Sequence, residues 1–419
     1  MLKYDLVVIG GGPAGLAAAL KAKELGVDKI LILERSTTLG GILRQCIHTG
    51  FGLHHFGEEL SGPEYAYRFI KDVEKTDIEI KVDTMVTDIL TGNTVIATNN
   101  VDGLMEIQAT AIILAMGCRE RPRGALEIPG SRASGIMTAG TAQKYVNIEG
   151  YMPGKKIVIL GSGDIGLIMA RRMTLEGAKV EMVCELMPYS GGLTRNIVQC
   201  LDDLNIPLKL SCTVIQTHGI ERLEGVTIAN VDENRKPIPG TEQYIECDTL
   251  MLSVGLIPEN ELTRNAGIMI DPITGGAIVD ENRQTSRPGI FACGNVLQVH
   301  DLVDYVTQES YTAGEGAAKY IQTKAKNRRP KYIPVCPEGG ARYVVPQNIS
   351  SDADSDVKLY FRVRDVYKNG RITVTNGDTV LYSKKKPKLT PGEMEYVTVK
   401  VEDIKKLDKK LPIIVKVEG

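Results

Sequence analysis

The sequence predicts an α/β protein, with two parallel-sheet halves of one plan followed by an all-β module. Three observations predict it. Near residue 10 a short apolar run breaks into a glycine turn and then a helical pattern. The same series recurs near residue 161, and from about residue 332 apolar and polar residues alternate, with Asn-Gly pairs between them.

In the first copy, Tyr4-Asp5-Leu6-Val7-Val8-Ile9 is the strand and Gly10-Gly11-Gly12-Pro13-Ala14-Gly15 the turn, with an alanine-rich helix behind it. Gly10 permits the turn, Gly12 lets backbone approach a pyrophosphate, and Gly15 lets helix and strand pack closely. The helix N-terminus then points unpaired N–H groups and its positive dipole end at the phosphates. About 20 residues on, Ile30-Leu31-Ile32-Leu33 ends in Glu34, where an acid meets ribose hydroxyls. This pattern predicts an adenine dinucleotide, either FAD or NAD.

Next comes Gly40-Gly41-Ile42-Leu43-Arg44-Gln45-Cys46-Ile47-His48-Thr49-Gly50-Phe51-Gly52. It is too glycine-rich for a regular element and too apolar for a solvated loop, which predicts a loop lying against a flat ligand. Residues 63–75 have helical spacing, 78–82 and 86–90 read as strands, and 93–97 as a hairpin arm. Residues 111–117 form a buried parallel strand ending in Ala115-Met116-Gly117. The run Arg119-Glu120-Arg121-Pro122-Arg123 leaves the first domain; its arginines suit a solvated loop or a phosphate or subunit contact.

In the second copy, Lys156-Ile157-Val158-Ile159-Leu160 is the strand, Gly161-Ser162-Gly163-Asp164-Ile165-Gly166 the turn and 167–176 the helix. Val180-Glu181-Met182-Val183-Cys184 then ends in Glu185. Two fingerprints, each with its acid, imply two dinucleotides. Glu185 should accept from a free 2′-hydroxyl and repel a 2′-phosphate, and no arginine stands immediately behind it, so NAD(H) is favoured over NADP(H). Residues 248–258 repeat the strand-to-glycine ending at Gly255, and 288–295 run from a strand into Gly294-Asn295. A helix over 307–321, opening at Thr307, would stabilise negative charge on a ligand ring.

Lys326-Asn327-Arg328-Arg329-Pro330-Lys331 reads as a basic linker. Beyond it, Val357, Leu359, Phe361 and Val363 share a face, as do Val397, Val399 and Val401, and Asn369-Gly370 and Asn376-Gly377 predict hairpins in a small sandwich. Lys384-Lys385-Lys386-Pro387-Lys388 is expected at an exposed edge.

Bulk properties narrow the function. The 419 residues carry 50 Lys and Arg against 52 Asp and Glu, a net charge of −2, which does not favour nucleic acid. No apolar run approaches the roughly 18 residues of a transmembrane helix, and the chain enters a strand without a leader pattern, so a soluble cytoplasmic protein is expected. The eight cysteines have no C-x-x-C or metal-ligand spacing, so no metal site is expected and most should be reduced and buried.

The order of these motifs resembles the two-dinucleotide-domain flavoprotein disulfide reductase superfamily over residues 1–325. The resemblance implies two Rossmann-like domains, with three-layer ββα sandwich architecture. A discontinuous FAD domain (1–118 and 263–325) would receive an inserted NAD(H) domain (119–262), with the β module at 332–419. It implies FAD contacts from Gly10, Gly12, Pro13, Ala14, Gly15, Glu34, Arg35, Gly41, Ile42, Leu43, Gln45, Val86, Ala115, Met116, Gly117, Gly294, Asn295 and Thr307. NADH would be held by Gly161, Gly163, Asp164, Ile165, Gly166, Glu185 and Gly255. Asn295 stands where the superfamily usually has Asp. A disulfide reductase also needs two redox cysteines, either after the first acid or ahead of the second fingerprint. The first region has only Cys46, and Gly135-Ile136-Met137-Thr138-Ala139-Gly140-Thr141-Ala142-Gln143-Lys144 has none, which argues against thioredoxin or glutathione reduction.

That second stretch resembles the α subunits of sarcosine oxidases and dye-linked opine or proline dehydrogenases. The loop from Gly40 to His48 resembles relatives that accompany an FAD-dependent glycerol-3-phosphate dehydrogenase. These likenesses imply an NADH oxidase-type oligomeric flavoprotein that passes electrons from NADH through FAD to oxygen, a dye or a second flavoprotein subunit. Cys46 and His48 are candidate catalytic residues, by analogy with oxidases that cycle one thiol through sulfenic acid; packing the loop against the ring is the alternative. Two rival functions are an electron relay that does not use NADH and a single-cysteine disulfide or CoA-disulfide reductase.

Overall fold

A computed structural model of the chain describes residues 1–323 and 331–419. The basic segment 324–330 predicted as a linker lies outside the described residues, except for Lys331. The chain divides into two compact units, one formed by Met1–Cys118 with Pro258–Gly419 and the other by Arg119–Ile257.

In the first unit a parallel sheet runs in the order Glu79–Lys81, Ile30–Leu33, Leu2–Ile9 and Gly103–Leu114, with Ile290–Ala292 pairing on the far side of the last strand. Ile30–Leu33 is buried along its whole length, as an unbroken apolar run in a parallel sheet covered on both faces should be. Alternation sorts the central strand between two cores. Leu6 and Val8 face the layer of helices with Leu16, Tyr65, Phe69 and Phe291, whereas Val7 and Ile9 face the other side with Val86, Val95 and Leu114. Each such fully buried aliphatic side chain contributes about 1.5–3 kcal/mol. The second core is closed by the antiparallel strands Met85–Leu90 and Thr94–Asn99, the latter pairing with the first half of Gly103–Leu114.

Two helices and their ends matter for the site. Gly62–Glu74 starts on a capping box, in which Ser61 and Glu64 bond each other's backbone N–H groups. Val303–Thr323 begins four residues before the predicted start. Thr307 therefore lies inside the helix rather than at its N-terminus. Its hydroxyl is buried against the Tyr65 hydroxyl at 2.7 Å, a partner supplied by a distant helix that local pattern does not show.

The β module belongs to this first unit. A five-stranded sheet (Asn348–Ser350, Tyr332–Gly339, Ile413–Glu418, Arg371–Asn376, Thr379–Lys385) and a three-stranded one (Ala341–Val345, Val357–Val363, Glu395–Val399) enclose one apolar core. Thr379–Lys385, which leads into the lysine run, is an edge strand. Asn376-Gly377 opens the turn to it, but Asn369-Gly370 is a corner: Tyr367–Lys368 pairs with Lys388–Leu389 instead of with the strand that follows. Val401 opens a short helix, Val401–Ile404, rather than extending a strand. Tyr343 and Val345 enter the second core of the parallel sheet, and Arg362 pairs with Asp301 while donating to the Val299 carbonyl, so module and sheet share packing.

The second unit repeats the plan. Its parallel sheet runs Ile136–Thr138, Thr249–Leu252, Lys156–Leu160, Lys179–Cys184 and Leu208–Lys209, beside an antiparallel meander of Cys212–His218, Gly225–Asn230 and Gln243–Glu246. Among the described residues no helix is long and apolar enough to cross a membrane.

Candidate functional site

Each glycine turn stands at the carboxyl ends of two adjacent parallel strands, where open α/β sheets bind ligands. In the first unit Gly10 adopts φ +110°, and a Cβ there would lie 2.4 Å from the Ala115 carbonyl oxygen. Gly15 is tighter still, its Cβ position lying 1.8 Å from the Gly10 oxygen. Gly12, by contrast, has no atom nearer than 3.8 Å to a Cβ position. It caps the helix Pro13–Glu24, and no side chain among the described residues caps that end. An uncapped helix start in front of an open glycine fits a pyrophosphate.

Distant segments converge here. Gly41 faces Gly12, its Cβ position 3.0 Å from the Gly12 Cα, and the Gly40 N–H donates to the Gly11 oxygen at 2.9 Å. The Ala115 N–H donates to the Ile9 oxygen at 2.9 Å, bringing Ala115-Met116-Gly117 beside the turn. From the other end of the unit, Gly294 approaches Ala14, with 2.8 Å from its Cβ position to the Ala14 Cβ. Leu43 is buried and Ile42 exposed on the loop, Arg35 is exposed just past Glu34, and Val86 is buried in its strand. Gln45 is half-buried in the same loop.

Glu34 is buried, with one carboxylate oxygen accepting from the Gly11 N–H and the other from the Ser36 N–H, both at 2.7 Å. Two bonds hold the carboxylate in place, and each oxygen keeps a lone pair for a ribose hydroxyl. Asn295 uses both ends of its amide: Nδ2 donates to the Cys118 sulfur at 3.5 Å, and Oδ1 accepts from the His300 N–H at 3.0 Å. An aspartate could do only the second. The departure from the superfamily pattern therefore matches a thiol acceptor that sequence reading did not connect with it.

The second unit builds the same cradle with more polar side chains. Gly161 has φ +97° and a Cβ position 2.1 Å from the Ser253 oxygen, and Gly163 starts the helix Asp164–Leu175. Glu185 accepts from the Ser162 N–H at 2.8 Å, the Ser162 hydroxyl at 2.6 Å and the Met187 N–H at 2.9 Å. The Gly166 N–H donates to the Ser253 hydroxyl at 3.0 Å. Asp164 accepts from the Leu193 N–H at 2.9 Å and the Asn196 amide at 2.6 Å, folding the 190–196 segment back over the turn. Ile165 is half-buried behind Asp164, and Gly255, at φ +101°, accepts from the Arg121 N–H at 3.0 Å through its carbonyl. Sequence reading missed Ser162, Ser253 and Asn196. The two serines occupy the positions of Gly11 and Ala115 in the first copy, so aligning the two repeats would have flagged them.

Cys46 and His48 are held within the loop. The Cys46 thiol donates to the Ile42 oxygen at 3.3 Å, and burial pushes it up to about 12, leaving little thiolate at neutral pH. The His48 ring lies 3.0 Å from the Thr49 oxygen through Nδ1 and 5.0 Å, centroid to centroid, from the Phe51 ring. All eight cysteines are thiols.

Residues 4–314 match the pyridine nucleotide-disulphide oxidoreductase family. The chain belongs to that family. Its members use FAD and NAD(P)H, and the chain is an oxidoreductase of this class. Among relatives, it is 29% identical to a mitochondrial dihydrolipoyl dehydrogenase of Caenorhabditis elegans, over 75% of this chain and 67% of that one. It is 24% identical to an opine oxidase subunit of Agrobacterium tumefaciens, over 70% and 61% of the two chains. The chain thus spans about two thirds of the length of these curated relatives. A thioredoxin reductase structure from T. acidophilum shares the fold, with a TM-score of 0.63 at 24% identity over 76% of this chain and 99% of that one.

Proposed function

We propose that this pyridine nucleotide-disulphide oxidoreductase family member is an NADH dehydrogenase of the oxidase type. NADH bound by the second unit would give hydride to FAD bound by the first, and the electrons would leave to oxygen, a dye or a second flavoprotein. The observation that carries the reading is the pair of cradles, each with an open cap glycine and a glutamate locked by its own turn. When bound, FAD supplies two-electron chemistry that no amino-acid side chain offers. The chain's own residues bind and orient. The helix start at Gly12 and the Gly41 backbone would take the pyrophosphate, Glu34 the ribose, and Gly117 and Asn295 would line the remainder. Gly163, Gly166 and Glu185 would play the matching parts for NADH, with Glu185 accepting from a free 2′-hydroxyl and disfavouring a 2′-phosphate.

Two further points support the reading. Cys46 is the only cysteine in the stretch just after the first acid, and its half-buried thiol, raised by desolvation, suits packing better than redox cycling. The opine oxidase relative is named as a subunit, which favours assembly with a further subunit; a second flavoprotein of the glycerol-3-phosphate or amine dehydrogenase type is the partner proposed. The test is anaerobic stopped-flow mixing of the FAD-loaded protein with NADH or NADPH. Rapid bleaching of the flavin by NADH and much slower bleaching by NADPH is expected; no bleaching by NADH sinks the proposal and favours the relay.

A further inference from the structure

Beside the turn at Gly294-Asn295 a row of aromatic side chains reaches the surface, and neither fingerprint uses it. The His54 ring stacks on that of Tyr305, 5.8 Å away and 14° from parallel. Tyr305 meets Tyr396 edge to face at 6.1 Å, and Tyr396 lies 6.0 Å from Tyr360. Three stretches of chain supply the row. His54 follows the glycine loop 40–52, Tyr305 is in the first turn of the helix Val303–Thr323, and the other two are cross-strand partners in the β module.

Alternation decides which way the module's tyrosines point. Leu359, Phe361 and Val397 enter the module's own core, so Tyr360 and Tyr396 stand on the opposite face of their sheet. Tyr360 is buried there and Tyr396 is 44% exposed. The Tyr360 ring lies 5.8 Å from that of His300, whose Nε2 is 2.9 Å from the buried Glu309 carboxylate and whose backbone N–H bonds Asn295 Oδ1. On the helix, Asp304 accepts from the Gly52 and His55 N–H groups, and Val306 Cγ1 comes 3.3 Å from a Cβ position on Gly294. The row therefore adjoins the cradle assigned above to FAD.

Its polar ends can all donate. The Tyr305 and Tyr396 hydroxyls and the His54 ring nitrogens have no hydrogen-bond partner among the described residues. Burial raises the Tyr305 phenol above its ordinary value, which keeps its proton on. Lys358 Nζ lies 5.3 Å from the centre of the Tyr396 ring and spends one N–H on Gln308 Oε1 at 3.0 Å, leaving two. The neighbouring acids are engaged: Asp301 with Arg362, Asp304 with its two N–H groups, Glu395 with Lys386. A flat ligand with acceptor atoms on its rim fits this set. A cationic one does not, since it would meet Lys358 and no free carboxylate.

We propose that the row binds a quinone-type electron acceptor, a planar ring packed against Tyr396 and Tyr305 whose carbonyl oxygens accept from their hydroxyls and from Lys358. The inference rests on the proposed passage of electrons from NADH through FAD, and it names the class of acceptor that takes them. In balance, NADH and one proton supply two electrons and two protons. Both quinone C=O groups become C–OH, NAD+ leaves, and the flavin ends as it began.

Equilibrium dialysis of the oxidised, FAD-loaded protein against 2-methyl-1,4-naphthoquinone reads binding without turnover. Wild type should bind, and Tyr396→Ala should raise the Kd about five- to tenfold through lost ring contact. Tyr305→Phe keeps the ring, loses one donor and should raise it about threefold, which carries the test should Tyr396→Ala fail to fold. Tyr67→Ala, an exposed tyrosine on the helix Gly62–Glu74, is the control and should bind as wild type does. Reoxidation of the photoreduced protein gives a second readout: the ratio of the quinone rate to the oxygen rate should fall at least fivefold in Tyr396→Ala. No binding by wild type, or an unchanged Kd in both variants, overturns the proposal and leaves the NADH reading standing. A flavin that NADH does not bleach overturns that reading instead, while dialysis still decides the quinone site.

Discussion

In the first unit the helix glycine Gly15 leaves 1.8 Å between a Cβ position and the Gly10 oxygen; in the second, Gly166 leaves 2.7 Å to the Gly161 oxygen. The two turns have the same plan and different tolerances. Around the first, apart from the Glu34 carboxylate on the Gly11 N–H, contacts are backbone on backbone, with Gly41 against Gly12 and the Gly40 N–H on the Gly11 oxygen. Around the second, hydroxyls and two carboxylates do the holding: Ser162 on Glu185, Ser253 on the Gly166 N–H, Asp164 on Leu193 and Asn196. A close-fitting backbone cradle suits a ligand that stays, as proposed for FAD. Side-chain hydroxyls that can exchange partners suit one that comes and goes, as proposed for NADH. The first unit also holds its β module through buried acids: Asp280 accepts from the Tyr332 hydroxyl and Glu281 from the Ser350 N–H.

The largest expected effect tests the tolerances. Gly15→Ala must displace backbone and should cost about 3 kcal/mol or more, with loss of bound flavin. Gly166→Ala should cost about half as much and leave flavin content unchanged while weakening NADH. Denaturant unfolding and flavin absorbance read both, and equal losses would break the comparison. Next, Glu185→Ala removes a charged acceptor and should raise the KM for NADH roughly ten- to hundred-fold with flavin retained, since bonds to charged groups contribute about 1.5–3 kcal/mol. Glu34→Ala should instead empty the flavin site.

A smaller effect sharpens the first unit's side of the comparison. Burial and neighbouring Glu281 push Asp280 up from 3.8 to about 7. A carboxyl whose folded value lies above its unfolded value loses stability as pH rises between the two, with the full penalty above the folded one. Asp280→Asn should therefore raise Tm at pH 8 by several degrees and change it far less near pH 4, where the folded carboxyl is neutral like the amide. A shift of equal size at both pH values would place the effect elsewhere. The smallest effect belongs to Cys46→Ser. With the thiol at about 12, NADH oxidation should stay within about twofold of wild type. Abolished turnover would restore the single-cysteine mechanism.

Much of this was legible because dinucleotide turns are local. Strand, glycines, helix and acid lie within about 30 residues, and steric demands on Gly10 or Gly161 show in composition alone. What was illegible depended on partners far along the chain. Thr307 reads as a helix start until Tyr65, 242 residues away, is seen to bond it. Asn369-Gly370 reads as a hairpin until Tyr367 pairs with Leu389. Cys46 reads as a nucleophile until burial is known, because a thiol's reactivity depends on its surroundings.

By itself, then, the sequence determined the two cradles, their acids and the change to a β module, since periodicity and glycine placement act within one supersecondary unit. Only the tertiary structure decided that Gly294 meets Ala14, that Asn295 bonds Cys118, and that Glu309 gathers Arg283, Gln298 and His300. Those contacts join segments far apart in the chain, and a buried charge has to find its partners wherever the fold places them.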